Sequence, residues 1–394
     1  MPVTIETAEQ AMKTVYLNVI KSQMNDETDP FYNHIKSSQK YVTGKEVKKM
    51  APYGVNGGVG AGSETGTLPV SGGNNYKQFT TETKNLYGTL SISDKSIKAS
   101  ANNAGAFVQL LNGEIEGLMK AAKFNMSRML HTDGTGILTL FKVNVVAATT
   151  LLVDSCRYLI EGLTIDIRNT AGGIIAGGEA RRILSVNRVD NSIDVSGAVI
   201  ATVATDFISI QQSYNMELTG MAEIFKATGS LYGVDRVANY WMRPYMKGAI
   251  AAIQDIKIQA AIDYLSEIMG SKVNYLLAPS GVTRSYYAYL EATKRNVNTL
   301  DLKGGFTALA YGKIPMVSSR FAKEGTLKLM DTSQFMFHHM GDWDWMQGQG
   351  NKILTQIPNT PVWTATLVKY AELLCDHPGG QGELSGITED AQPA

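Results

Sequence analysis

The chain has 394 residues, more than one hydrophobic core usually serves, so two domains or one with large excursions is expected. A hydrophobic content of 44% belongs to a folded protein, while 36 basic residues cancel 36 acidic ones. That balance argues against nucleic-acid binding through bulk charge, and it favours self-association, because little net charge holds copies apart.

In chain order, residues 6–24 read as a short amphipathic helix with Ala8, Met12, Val15, Tyr16, Val19 and Ile20 on one side. Such a helix needs a surface to lie on, its own domain's or a partner's. From Pro52 to Lys84 the composition shifts to glycine, with few large apolar residues. Gly60-Ala61-Gly62-Ser63 lacks the Lys-Ser/Thr of a phosphate loop and follows no hydrophobic strand. A two-stranded excursion fits better: Gln78, Thr80, Glu82 and Lys84 alternate with Phe79, Thr81, Thr83 and Asn85, an extended pattern with little to bury. A Gly-rich ribbon this long is expected to serve function or contact a neighbour.

Residues 103–131 carry the longest helical pattern. Phe107, Val108, Leu111, Ile115, Leu118, Met119, Ala122, Met126, Met129 and Leu130 follow the spacing of one helix face. Asn102 and Asn103 suit the N-cap, and Asp133-Gly134-Thr135-Gly136 is stop chemistry. Gly113 and Gly117 each weaken the helix by about 1 kcal/mol relative to Ala, and their spacing suggests a surface where another backbone crosses closely. Residues 144–225 read as β-rich. Leu163, Ile165 and Ile167 alternate with polar residues, a hairpin turns at Asp190-Asn191, and a strand runs from Val203 to Ile210. A mixed α/β register follows. A helix over 255–269 turns Ile258, Ala261, Ile262, Leu265 and Ile268 inward, and a buried strand, Tyr275-Leu276-Leu277-Ala278, is stopped by Pro279. A second helix carries Val282, Tyr286, Tyr289 and Leu290, strands recur at Met316-Val317 and over 327–329, and 363–374 supplies a last one. The tail after His377 reads as loose.

Chemistry-bearing clusters are few. His338-His339 with Asp342 and Asp344 looks metal-like, but adjacent histidines on a strand point to opposite faces and do not share an ion. Cys375, Asp376 and His377 are sequence neighbours, whereas a thiol meets its base through the fold. The turn at Asp133 sits at a helix C-terminus, the wrong end for an anion. Trp343, Trp345 and Met346 are expected in the core. No catalytic residue, metal ligand or cofactor is assigned. With two cysteines, Cys156 and Cys375, no disulfide framework is expected. No signal peptide is read at the N-terminus, and no apolar run reaches the roughly 18 residues of a membrane span.

Taken in order, several stretches resemble the major capsid proteins of tailed bacteriophages, the Hong Kong 97-like coat fold. Residues 125–136 (NMSRMLHTDGTG) resemble the end of that family's spine helix and its turn. Leu276-Leu277-Ala278-Pro279-Ser280 with 286–290 resembles a strand and helix of its axial (A) domain. Gly304-Gly305 followed by 311–317 resembles a recurrent loop and strand, and Ala371-Glu372-Leu373-Leu374 the closing strand. The resemblance implies an α+β fold. It assigns an N-terminal arm to 1–50, an extended E-loop laid over a neighbour to 51–90, and a peripheral (P) domain with its spine helix to 91–143. The segment 144–235 becomes a β-rich insertion or enlarged P-domain sheet, 236–323 the A-domain, 324–365 return strands of the P-domain, and 366–394 the closing A-domain strand and tail.

Intersubunit contacts are then expected at Gly58, Gly60, Gly62, Leu68, Tyr76, Lys77 and Lys84 of the E-loop, and at Gly113 and Gly117 of the spine helix. Some members crosslink an E-loop Lys to an Asn of a neighbour; Lys77 and Lys84 lie in the right stretch, and no Asn is paired with either. The implied function is a coat protein that self-assembles, as hexamers and pentamers, into an icosahedral head around double-stranded DNA without sequence-specific binding. The implied partners are a separate scaffold protein, a portal and decoration proteins, with no membrane and no cofactor. The implied location is the virion, after assembly in the host bacterial cytoplasm. An encapsulin compartment shares the fold, but encapsulins are generally shorter and lack so large a β insertion. A mixed α/β enzyme is disfavoured, since no catalytic constellation stands out.

Overall fold

The computed structural model describes residues 29–95, 104–293, 299–301, 307–348 and 352–389. The helix expected over 6–24, the caps Asn102 and Asn103, and Gly304-Gly305 lie outside these residues. The long helix runs Ala104–His131. Ile115, Met119, Met126 and Leu130 are buried at the spacing read from the sequence. It stops where Asp133 Oδ1 accepts from the Thr135 amide and hydroxyl, and where Gly134 and Gly136 take φ values of 84° and 77° that L side chains rarely adopt.

This helix packs on a six-stranded sheet whose longest member is Val362–Cys375. Lys84–Ser93 pairs antiparallel with it from Ala371↔Lys84 to Val362↔Ser93. Phe335–His339 lies on its other side, followed by Lys36–Ser38 in parallel. The strand 84–93, whose first residues the excursion pattern reached, belongs to this sheet, where Leu90 and Ile92 stand opposite Ala365 and Trp363. Gly88 sits where helix and strand meet; a Cβ there would stand 3.1 Å from Leu118 Cδ1.

The excursion itself is a hairpin, Glu46–Tyr53 against Asn75–Glu82. Its base is not short of apolar burial, contrary to expectation. Val47, Ala51 and Phe79 lie in the main core, and Trp241 stacks with Tyr53 at 5.1 Å and with Phe79 at 6.1 Å. The alternation around Phe79 could not reveal this, because Trp241 arrives from a distant loop. Tyr232 fixes that loop by donating to the Leu373 carbonyl and accepting from the Cys375 amide.

The β-rich segment starts at Ile137, earlier than expected, and is a separate unit. Six antiparallel strands follow the order 137–140, 207–210, 164–168, 181–187, 192–195, 150–152. A bridge between Phe141 and Val153 joins the two outer strands, with Lys142 and Asp154 amides donating to Leu152 and Leu140 carbonyls. The sheet therefore closes into a small barrel, which removes its free edges. Leu151, Val153, Ile165, Ile167, Ile183, Ile193 and Ile208 fill it. The hairpin turn falls at Asn191, with φ 51°. The last strand begins at Phe207 rather than Val203, which lies in the preceding turn.

A seven-stranded sheet completes the described fold, in the order 245–247, 382–385, 326–330, 275–278, 314–318, 307–311, 299–301, with helices Asp255–Glu267 and Ser280–Thr293 contributing to its core. Ile258, Ala261 and Leu265 are inward as expected, whereas Ile268 is exposed, since the helix has already ended at Glu267. Thr326–Met330, expected among the P-domain return strands, pairs instead with Tyr275–Ala278. As far as residue 389 the tail is not loose: Gly382–Ser385 is a buried inner strand between Tyr245–Lys247 and Thr326–Met330. Its glycines permit close approach, as a Cβ on Gly379 would lie 2.2 Å from the Trp241 carbonyl.

Candidate functional site

The clusters read as possible chemistry are structural. Among the described residues no group of three or more His, Cys, Asp or Glu could hold a metal ion. His338 is buried, its Nδ1 donates to the Lys40 carbonyl 2.9 Å away, and burial holds its ring below the usual histidine range. His339 faces the other way and is half-buried. Burial pushes the Cys375 thiol well up, Asp376 pairs with Lys49 at 2.5 Å, and His377 Nδ1 accepts from the Gly380 amide. These three neighbours therefore engage different partners and form no nucleophile–base pair. Trp343 and Trp345 are buried as expected, but Met346, beyond the two-residue strand, is exposed.

One constellation had no sequence signal. Asp29, His131 and Ser319 meet in the interior, with His131 Nε2 3.3 Å from both Asp29 Oδ2 and Ser319 Oγ. Both neighbours share one ring nitrogen, and Nδ1 has no hydrogen-bond partner. A triad needs the acid on one nitrogen and the nucleophile on the other. The cluster is a joint, tying the start of the described chain to the end of the long helix.

Two surfaces remain without a partner in the subunit. Residues 54–74 form the tip of the hairpin with no strand or helix, and only Glu64 among them is charged. Val55, Val59, Leu68 and Val70 are bare, Leu68 being 88% exposed. Gly60 and Gly62 lie in this tip and Gly58 at its neck, where a Cβ on Gly72 would stand 2.6 Å from the Gly57 amide. Tyr76 and Lys77 project from the hairpin strand beneath it, both exposed, while Lys84 sits half-buried at the start of the main sheet. The second surface is the outer face of the long helix, where Gly113 and Gly117 are exposed with open space around them. Beside the helix runs a groove of about 710 Å³, bordered by strand 84–89, helix positions such as Leu118 and Met129, and the barrel at Leu163 and Gln211.

No protein-family model matches the chain, and no curated protein matches it in sequence. Its structure is similar to the Cyanophage A-1(L) capsid asymmetric unit, with a TM-score of 0.54, 12% identity, and coverage of 95% of this chain and 93% of that one. The fold is that of a phage capsid subunit. The capsid of Myoviridae Phage XM1 is similar at a TM-score of 0.46, 8% identity and coverage of 91% and 92%. The holo-SrpI encapsulin complex from Synechococcus elongatus PCC 7942 is similar at 0.45, 7% identity and coverage of 93% and 92%. The fold assignment rests on the first.

Within this capsid fold the helix glycines permit a direct test. A Cβ at Gly117 meets nothing in the subunit, so helix propensity should stabilise Gly117→Leu by nearly 1 kcal/mol. A neighbour crossing at that face would instead be blocked. The expected result is a variant that unfolds no earlier than wild type in thermal circular dichroism, and that assembles poorly. Normal assembly would place those glycines on a solvent face.

Proposed function

We propose that this chain is the major coat protein of a tailed bacteriophage, assembling as hexamers and pentamers into an icosahedral head that encloses double-stranded DNA. The observation that carries this reading is the likeness to a phage capsid subunit over nearly the whole of both chains. The role is structural, not enzymatic. On the Hong Kong 97-like plan, 1–50 is the N-terminal arm, the hairpin tip is the outer part of an E-loop reaching a neighbour, and Ala104–His131 is the spine helix of the P-domain. The seven-stranded sheet and its helices correspond to the A-domain, and the closed barrel is an insertion between the two. Two features support the assignment of contacts: an apolar, nearly uncharged tip that its own subunit does not cover, and a long helix with one bare face.

A separate scaffold protein, a portal and decoration proteins are the proposed partners, with assembly in the host bacterial cytoplasm. Neutral overall charge suits a shell that holds its genome by volume. The test is negative-stain electron microscopy of the purified chain co-expressed with its scaffold. Closed icosahedral shells are expected; a small soluble oligomer as the end state would overturn the proposal.

A further inference from the structure

Residues 217–226 leave the barrel and lie across the end of the long helix like a strap, with Leu218, Met221, Ile224 and Phe225 in the main core. Glu217 grips Arg128 of the helix through two hydrogen bonds, of 2.8 and 2.5 Å. At Gly220 the strap backbone presses on the helix terminus, so that a Cβ there would lie 2.2 Å from the Thr132 carbonyl and 2.3 Å from that of Met129. Glu223 holds the buried Arg236 at 2.5 Å, and Lys226 reaches Asp133 at 3.3 Å. Between the first two of these fastenings, the Thr219 amide donates to Glu372 Oε1 at 2.8 Å.

Glu372 is the unusual member. It is fully buried near the C-terminal end of strand 362–375, and its Oε1 accepts from the Thr219 and Leu373 amides. Its Oε2 is buried with no partner. The charged and titratable groups around it are few. Lys84 on the adjacent strand favours the ionised form. Tyr232 is already committed to the Leu373 and Cys375 backbone, and Arg128 to Glu217, two residues before Thr219. His338, its cross-strand partner, is turned to the Lys40 carbonyl.

We propose that the strap is a proton-controlled clamp, in which protonation of Glu372 fastens residues 217–226, and with them the barrel, to the long helix and the main sheet. An ionised carboxylate with one oxygen unsatisfied is costly in the interior, and opening the strap relieves that cost by admitting water. A proton on Oε2 removes the charge and leaves Oε1 to accept both amides. Burial pushes the Glu372 carboxyl up to about 7, against an ordinary 4.5 once the strap is open. The closed strap therefore binds the proton more tightly. Its grip is greatest at acid pH, weakens as pH rises towards about 7 and levels off above. This inference goes beyond the shell reading and holds whether or not the chain forms a shell.

The test is amide hydrogen exchange of the full-length subunit at about pH 5.5 and about pH 8, corrected for intrinsic rates. Residues 164–168 of the barrel serve as internal reference. Protection of residues 217–226 should fall roughly 30-fold over that interval. Glu372→Gln, neutral throughout, should remove the pH dependence. Carboxyl-region NMR of the wild type supplies a measurement that needs no variant, with a Glu372 midpoint expected near 7. PH-independent strap exchange in the wild type, an unchanged pH dependence in E372Q, or a midpoint near 4.5 would each overturn the proposal.

Discussion

Replacing Arg128 by Met should destabilise the subunit by about 3–5 kcal/mol, enough to unfold a large fraction of a marginally stable protein. Arg128 and Glu217 have side-chain exposures of 0% and 1% and form a bidentate pair. Removing one partner strands a carboxylate in the interior, whose desolvation is no longer offset. The double variant Arg128→Met with Glu217→Leu should recover most of the loss, since it leaves no buried charge and fills similar volume. Urea denaturation of the unassembled subunit measures both. A single variant costing under about 1 kcal/mol, or a double variant worse than the single, would show that the pair is not isolated from water.

Deleting residues 56–74 should abolish closed shells and leave the subunit folded. Val59, Leu68 and Val70 are bare and bury nothing in their own chain, while the hairpin below them is anchored by Val47, Ala51, Phe79 and Trp241. Below the deletion Tyr53 and Asn75 are paired across the hairpin, so a short turn can close the gap. Removing bare loop residues should change subunit stability by less than about 0.5 kcal/mol. Assembly, by contrast, loses an extended apolar element that could order itself against a neighbour, where burial offsets roughly 1–2 kcal/mol of backbone entropy per residue. Electron microscopy and thermal melting of the deletion variant separate the two effects. Normal shells melting at the wild-type temperature would mean that the tip is not an assembly element.

Much of the local architecture was legible in the residues themselves. The apolar spacing of Ile115, Met119, Met126 and Leu130 specifies the long helix, and Asp133 to Gly136 its end. Pro279 stops the strand Tyr275–Ala278, and Asn191 turns the barrel hairpin. The glycine-rich tip, with little to bury, was equally plain. These features depend on periods and turn chemistry within a few residues, which the chain carries wherever it goes. Tertiary structure alone decided which strands meet. Nothing in the residues 362–375 says that 84–93 lies beside them, and nothing in Phe141 and Val153 says that they close a barrel. The buried charges belong to this second class. Glu372 within an apolar run was the one visible hint, but Thr219, which holds it, and Glu217, which neutralises Arg128, are supplied across the fold. Sheet pairing and charge compensation are relations between distant segments. A backbone edge accepts many strands, and a carboxylate many cations, so only the packed core selects among them.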